Sequence, residues 1–225
     1  MILRSAFLWL ALGLALAEWV AVWRHARTIR WLTKPATMLA LIAWFTHNGG
    51  WQGAGVWFGL GLTLSMAGDV LLLLPPRFFR GGLVFFLAAH LCYLVGFNTA
   101  LPALGWESFL TVAVVTTAGV LLAGILQRGL RSKPETSRLA PWVLAYSFVI
   151  SAMLLSALLC FWREGWSQQA AALASLGAFL FYFSDLLLAM HRFIRPLPAG
   201  DFGVMVAYFL AQFGIATAAL LAFAR

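Results

Sequence analysis

The sequence predicts an all-α, polytopic integral membrane protein with eight transmembrane helices. Its 225 residues are 63% hydrophobic and only 10% charged, and the mean hydropathy is +0.92. A soluble domain is about 45–50% apolar and about 25% charged, so this chain has too few polar residues to cover a surface in water. The apolar residues also form long runs that charged residues, Pro or Gly separate. This composition excludes a soluble enzyme, a secreted disulfide scaffold and a disordered chain.

Eight apolar runs account for the predicted helices, given that a span needs about 20 apolar residues. The runs are 3–23, 35–46, 52–74, 82–101, 108–126, 139–162, 167–190 and 202–223. The second run is short, and on length alone it would be re-entrant. Trp31 and Leu32 extend it to a full span if the long side chain of Lys34 reaches the membrane interface.

The distribution of basic residues favours eight crossings. With eight spans, twelve of the fifteen Lys and Arg residues lie in the loops on one side and three on the other; without a crossing by the second run, the division is nine against six. The positive-inside rule therefore predicts both termini outside the cytoplasm. The twelve are Arg24, Arg27, Arg30, Lys34, Arg77, Arg80, Arg128, Arg131, Lys133, Arg138, Arg192 and Arg195, and the three are Arg4, Arg163 and Arg225.

The first run also has features of a secretory signal, because Ala15-Leu16-Ala17 forms an A-x-A site. Cleavage there would leave the basic cluster of Arg24–Lys34 beside an external N-terminus, so we predict an uncleaved first span. We interpret the net charge of +8 as topology signals and contact with anionic lipid heads. No long basic segment exists to bind nucleic acid, so we expect none as a partner.

A short internal repeat divides the chain into two halves. Residues 65–80 and 181–195 each carry a small residue before an Asp, then an apolar stretch, then a basic and aromatic loop. The copies are four spans apart and therefore parallel. We predict one transmembrane domain over 1–225 with half-repeats 1–104 and 105–225.

Three carboxylates lie inside predicted spans, where a charge costs at least about 2.5–3.5 kcal/mol. Glu18, Asp69 and Asp185 each lie five residues before the cytoplasmic end of a run, so they share one layer of the bilayer. Glu18 is close to Arg24, and we interpret it as structural. Asp69 and Asp185 have no cation within a turn on their own helices, so any partner must come from another helix. These two are our candidate catalytic residues.

Further polar residues at similar depth are candidates for substrate binding. His90 and Tyr93 share a helix face, as do Tyr208 and Gln212, whereas Lys34 is either a topology signal or a ligand for a lipid phosphate. Each of these residues alone is equally consistent with ordinary packing. The full candidate set is Lys34, Ser65, His90, Tyr93, Tyr182, Tyr208 and Gln212.

Several catalytic motifs are absent from the sequence. It contains no G-x-S-x-G, H-E-x-x-H or P-loop motif, and Cys92 and Cys160 have no metal-ligand spacing, so we expect no metal and no cofactor. Gly68-Asp69 has a superficial similarity to the G-x-G-D motif of intramembrane aspartyl proteases. Met66 replaces the first Gly, however, and Ser184 precedes the second Asp where a Tyr would be needed.

Taken together, five motifs resemble those of the YhhN/lysoplasmalogenase family. They are Lys34-Pro35, Ser65…Gly68-Asp69, Gly82…His90…Tyr93, Ser184-Asp185 and Tyr208…Gln212, and they cover nearly the whole chain. This resemblance implies hydrolysis of the vinyl-ether bond of a lysoplasmalogen, a lysophospholipid, to a fatty aldehyde and a glycerophospho-base. It also implies an integral membrane location, which we expect to be a bacterial inner membrane.

The candidate residues suit that chemistry, although two other functions remain open. Hydrolysis of a vinyl ether needs an acid that protonates carbon, an anion near the oxocarbenium ion and a base for water, which two carboxylates supply. The alternative is a proton-coupled transporter of a small lipid or solute that uses Asp69 and Asp185 as protonation sites. A non-catalytic membrane scaffold is the third possibility.

Overall fold

The computed structural model describes residues 2–103, 105–132 and 137–224, and every regular element within them is helical. The predicted all-α chain is therefore confirmed for these residues. The long helices are α1 (Ile2–Trp23), α2 (Arg27–His47), α3 (Gly55–Leu73), α4 (Phe79–Phe97), α5 (Trp106–Arg131), α6 (Ala140–Leu158), α7 (Gln168–Ala189) and α8 (Gly200–Phe223). Short helical turns occupy Pro76–Phe78, Leu159–Trp162 and Met190–Ile194.

Helix α2 differs most from its prediction. We expected this helix to cover 35–46, with an extension back to Trp31. It begins at Arg27 instead, so Pro35 lies in its interior and the predicted start was wrong. Tertiary contacts hold the early turns: the buried carboxylate of Glu18 accepts hydrogen bonds from Arg30 Nε at 2.9 Å and Thr33 Oγ1 at 2.6 Å. These bonds offset the backbone hydrogen bond that a proline removes.

Seven of the long helices are long and apolar enough to cross a membrane: α1 and α3 to α8. This makes the chain an integral membrane protein. Helix α2 is the exception among the described helices, because Arg27, Arg30 and Lys34 lower the hydropathy of its first half.

Consecutive helices form the most closely packed pairs: α7 with α8, α3 with α4 and α1 with α2. Small residues allow this approach, as in other membrane helix pairs. A Cβ at Gly61 would overlap the Tyr93 ring on α4, and one at Gly177 would lie 2.9 Å from Ile215 on α8. These two positions therefore set the distance between the paired helices.

One end of the bundle collects the loops that follow α1, α3 and α7, because His25, Leu73 and His191 line the same cavity there. Of the basic residues predicted on this side, Lys133 lies outside the described residues. Arg163 is at the opposite end, where it donates hydrogen bonds to the carbonyls of Phe97 and Ser156 at 3.1 and 2.6 Å. A cation at these helix C-termini is electrostatically favourable.

We expect Gly61→Ala to destabilise the protein. Alanine normally favours a helix over glycine, but here the added Cβ must displace the Tyr93 ring. Overpacking of this kind costs about 1–3 kcal/mol, which corresponds to a fall in Tm of at least about 2 °C in detergent. Gly124→Ala on α5, where a Cβ meets nothing within 4 Å, is the matched control. Equal Tm values for the two variants would contradict the packing described.

Candidate active site

Asp69 is the centre of a buried ion pair that joins three helices. Its carboxylate on α3 has no exposed side-chain surface, and Lys34 Nζ on α2 lies 2.9 Å from Oδ1. Tyr208 on α8 donates a hydrogen bond to Oδ2 at 2.6 Å. A charge buried in a low-dielectric interior needs this combination of an opposite charge and hydrogen bonds. The partners come from other helices, as the sequence required.

Asp185 on α7 has a different set of partners. Tyr146 on α6 donates a hydrogen bond to Oδ2 at 2.6 Å, and His90 Nε2 on α4 lies 3.0 Å from the same oxygen. His90 Nε2 is also 2.9 Å from the Tyr146 hydroxyl, so the three side chains form a closed triangle. His90 is fully buried, whereas the Asp185 side chain keeps 16% of its surface exposed.

The two Asp sites share one pattern of helices. Each Asp takes one partner from the preceding helix, Lys34 from α2 for Asp69 and Tyr146 from α6 for Asp185. Each takes its second partner from the helix that follows the other Asp, Tyr208 on α8 and His90 on α4. The partners thus correspond at an offset of four helices, but their chemistry differs, since only Asp69 is matched with a lysine.

Both carboxylates line one polar cavity of about 450 Å³ at the end of the bundle where the loops gather. Its wall combines cationic and imidazole side chains with the site residues Lys34, Tyr208 and Ser184. The cations and imidazoles on this wall are His25, Arg27, Arg30, His191 and Arg192, and Asp201 adds a further carboxylate. The lining suits a phosphate-containing head group.

A second, mainly apolar groove of about 560 Å³ adjoins the polar cavity. Side chains of α4, α5, α6 and α7 line it, among them Leu83, Leu126, Val143 and Leu186. Four residues belong to the walls of both spaces: Phe79, Phe86, Asp185 and Leu188. Asp185 therefore lies at the junction of a cationic cavity and an apolar groove.

Of the remaining predicted site residues, three are buried in the bundle and line neither space, and one lines the apolar groove. Tyr93 donates a hydrogen bond to Gln212 Oε1 at 2.7 Å, and both are fully buried between α4 and α8. Ser65 is buried one turn before Asp69, and Tyr182 lines the apolar groove. Of the seven predicted binding residues, Lys34 and Tyr208 are on the wall of the polar cavity, and His90 reaches it only through Asp185.

Sequence reasoning missed Tyr146 and did not identify which loop arginines line the cavity. It also named Arg24 rather than Arg30 beside Glu18. Tyr146 was one aromatic residue in an apolar run, which gives no periodic signal. Tyr146 lies six residues after the start of α6 and Lys34 seven after the start of α2, but this match in depth depends on the observed start of α2. Within the described ranges, no group of three His, Cys, Asp or Glu side chains lies close enough to hold a metal ion.

The fold and site define an all-helical integral membrane protein in which one fully buried and one half-buried carboxylate line a cationic cavity. The YhhN family model matches residues 29–219, and the chain belongs to the YhhN family, which confirms the resemblance noted from its motifs.

Three mammalian relatives that match this chain over about the same length are named lysoplasmalogenase TMEM86B. The rat (Rattus norvegicus) protein is 32% identical over 188 residues, which cover 83% of this chain and 70% of the relative. The mouse (Mus musculus) protein is 31% identical over 83% of this chain and 73% of its own. The human (Homo sapiens) protein is 32% identical over 193 residues, which cover 83% of this chain and 72% of the relative. No solved structure has significant similarity to this chain.

We expect Lys34→Met to destabilise the protein strongly, because it leaves the Asp69 carboxylate buried without its cation. Removing one partner of a buried ion pair typically costs about 3–5 kcal/mol. The double variant Lys34→Met/Asp69→Asn is expected to have a higher Tm than Lys34→Met alone, since the neutral amide no longer needs the cation. Arg128→Met, at an exposed position on α5, is the control for loss of a positive charge. Additive effects in the double variant would argue against the ion pair.

Proposed function

We propose that this protein is a lysoplasmalogenase, a membrane hydrolase that cleaves the vinyl-ether bond of a lysoplasmalogen. The observation that carries this proposal is the position of Asp185 on the wall shared by a cationic cavity and an apolar groove. In a lysoplasmalogen the vinyl ether also lies between a phosphate-containing head and a hydrocarbon chain. Membership of the YhhN family and the lysoplasmalogenase names of the relatives support the same activity.

The reaction consumes one water molecule and needs a proton at carbon. Protonation of the vinyl carbon farther from the ether oxygen gives an oxocarbenium ion, and water then adds to the carbon that bears the oxygen. The resulting hemiacetal collapses to the fatty aldehyde and the glycerol hydroxyl of the glycerophospho-base, and the proton returns to the site. Two carboxylates in different environments divide such work in glycoside hydrolysis.

We propose different roles for the two Asp residues because their partners differ. Asp69, which pairs with Lys34 and accepts a hydrogen bond from Tyr208, is assigned as the group that stabilises the oxocarbenium ion. Asp185 is the general acid: Tyr146 and His90 both contact Oδ2, and we assign the transferred proton to Oδ1. After protonation of carbon, the Asp185 carboxylate accepts a proton from the attacking water.

The head group is held by the cations of the polar cavity. Arg27 and Arg192 are exposed on its wall, whereas Lys34 is 97% buried and engaged with Asp69. An arginine binds phosphate oxygens through two parallel hydrogen bonds. We therefore assign the phosphate to Arg27 and Arg192, and we assign Lys34 to holding the charge of Asp69.

The distribution of basic residues and the helices that supply the Asp partners support a transmembrane topology. We propose that α2 also crosses the bilayer, giving eight spans with both termini outside the cytoplasm and with half-repeats over 1–104 and 105–225. The support is the twelve-to-three division of basic residues and the four-helix offset between the partners of Asp69 and Asp185. The basic loops then face the cytoplasm, which places the polar cavity on that side. A bacterial inner membrane is the proposed location.

We expect Asp69→Asn and Asp185→Asn each to lower aldehyde release by at least about 10²-fold. Loss of a positioned general acid, here Asp185, costs about 10²–10⁴ in rate. Loss of a group that stabilises charge in the transition state, here Asp69, costs about 10²–10³. The measurement is mass-spectrometric detection of fatty aldehyde from lysoplasmenylethanolamine and lysoplasmenylcholine with purified protein in detergent. Tm values of the variants show whether each one is folded.

Glu107→Gln at an exposed position on α5 is the matched control, and Glu18→Gln is expected to matter less than either Asp variant. Near-normal turnover by both Asn variants would contradict the mechanism. Transport that needs a sealed vesicle and a gradient, with no aldehyde in detergent, would favour the transporter instead.

The topology is tested by placing single cysteines on either side of α2. In a background with Cys92 and Cys160 replaced by alanine, His25→Cys and Gln52→Cys both introduce exposed thiols. A membrane-impermeant maleimide added to intact cells is expected to label the Gln52 position and to spare the His25 position. Labelling of both from the same side would show that α2 does not cross.

A further inference from the structure

We propose that the apolar groove lined by α4, α5, α6 and α7 holds the single hydrocarbon chain of the substrate. This inference rests on the proposed function and adds a subsite to it. The substrate then lies across Asp185, with its phosphate in the polar cavity and its chain between α4 and α6. The chain reaches the groove laterally from the bilayer rather than from the water phase.

The lining of the groove is that of a chain-binding site. Its volume of about 560 Å³ falls in the range of small-molecule sites. Leu83 and Leu87 of α4 line it together with Val143 and Ile150 of α6, and most of its lining surface is apolar. The polar and charged side chains on its wall are Arg80, Arg138, Tyr146, Ser147, Tyr182 and Asp185. The side chain of Trp142 on the same wall is 74% exposed, which places this part of the groove at the outer surface of the bundle.

Continuity with the polar cavity determines which molecule occupies the groove. Phe79, Phe86, Asp185 and Leu188 form a shared wall, so an occupant of the groove ends beside the carboxylate and beside the cations beyond it. A lysolipid has one chain, one phosphate and the reactive vinyl ether between them, in the order in which the structure arranges groove, Asp185 and cations.

The groove positions the substrate for reaction and adds little to the affinity of the protein for it. A lipid chain in the bilayer is already out of water, so its transfer into an apolar groove gains little hydrophobic free energy. By holding the chain, the groove keeps the vinyl carbons beside Asp185. A misplacement of the reacting carbons by about 1 Å can lower the rate of the chemical step by about 10²-fold. The effect of blocking the groove should therefore depend on chain length.

Val143→Trp on α6 and Leu83→Trp on α4 test this inference by filling the groove. For a lysoplasmenylethanolamine with a sixteen-carbon chain, kcat/KM is expected to fall by about 10²-fold. For an analogue with a four-carbon chain, which need not enter the groove, the change is expected to stay within about threefold of the wild-type protein. Val114→Trp, on the exposed surface of α5 away from the groove, is the matched control and should change neither value. Equal losses for both chain lengths, or no loss for either, would overturn the inference.

A second measurement does not depend on turnover. A saturated 1-O-alkyl lysophosphatidylethanolamine with a diazirine in its chain is expected to form adducts on the groove-lining residues of α4 and α6, and Val143→Trp should reduce this labelling. Adducts elsewhere, unaffected by Val143→Trp, would overturn the chain site. Groove labelling without aldehyde release from any lysoplasmalogen would instead remove the proposed function and leave the lipid-chain site standing.

Discussion

Compensation of charge inside a low-dielectric bundle is the constraint on which this structure depends. Glu18, Asp69 and Asp185 lie well inside their helices, away from the first turn, and each one draws its main partner from another part of the bundle. Arg30 pairs with Glu18, Lys34 with Asp69, and His90 and Tyr146 with Asp185. An unpaired charge at these positions would be strongly destabilising. The contacts therefore tie α1 to α2, α2 to α3, and α7 to α4 and α6, and they determine which faces of these helices meet.

The same contacts give two chemically different carboxylates. Asp69 is enclosed and matched with a lysine, whereas Asp185 keeps partial exposure and is held through hydrogen bonds to a tyrosine and a histidine. A site that must donate a proton to carbon and also stabilise a cation needs this division of environments. The difference arises because the partner from the preceding helix is Lys34 for Asp69 and Tyr146 for Asp185.

Much of the fold and of the candidate site could be predicted from the sequence. The features that could not be predicted were missed for different reasons. The apolar runs predict the long helices within a few residues, and the depth of Asp69 and Asp185 predicts a shared polar layer. The start of α2 at Arg27 was missed because its early turns depend on tertiary contacts with Glu18 rather than on hydropathy. Tyr146 was missed because a single tyrosine in an apolar helix has no local signature. The pairing of Tyr93 with Gln212 needs the relative rotation of α4 and α8, which periodicity does not give.

The central claim is that the site protonates carbon and then adds water to the carbon bearing the ether oxygen. Turnover of a lysoplasmalogen in water enriched in ¹⁸O and deuterium tests this claim most directly, with both products weighed by mass spectrometry. The account predicts that the glycerophospho-base keeps its original oxygen and that the aldehyde carries one deuterium at its second carbon. Incorporation of ¹⁸O into the glycerophospho-base would place the cleavage on the glycerol side of the oxygen and would contradict the account.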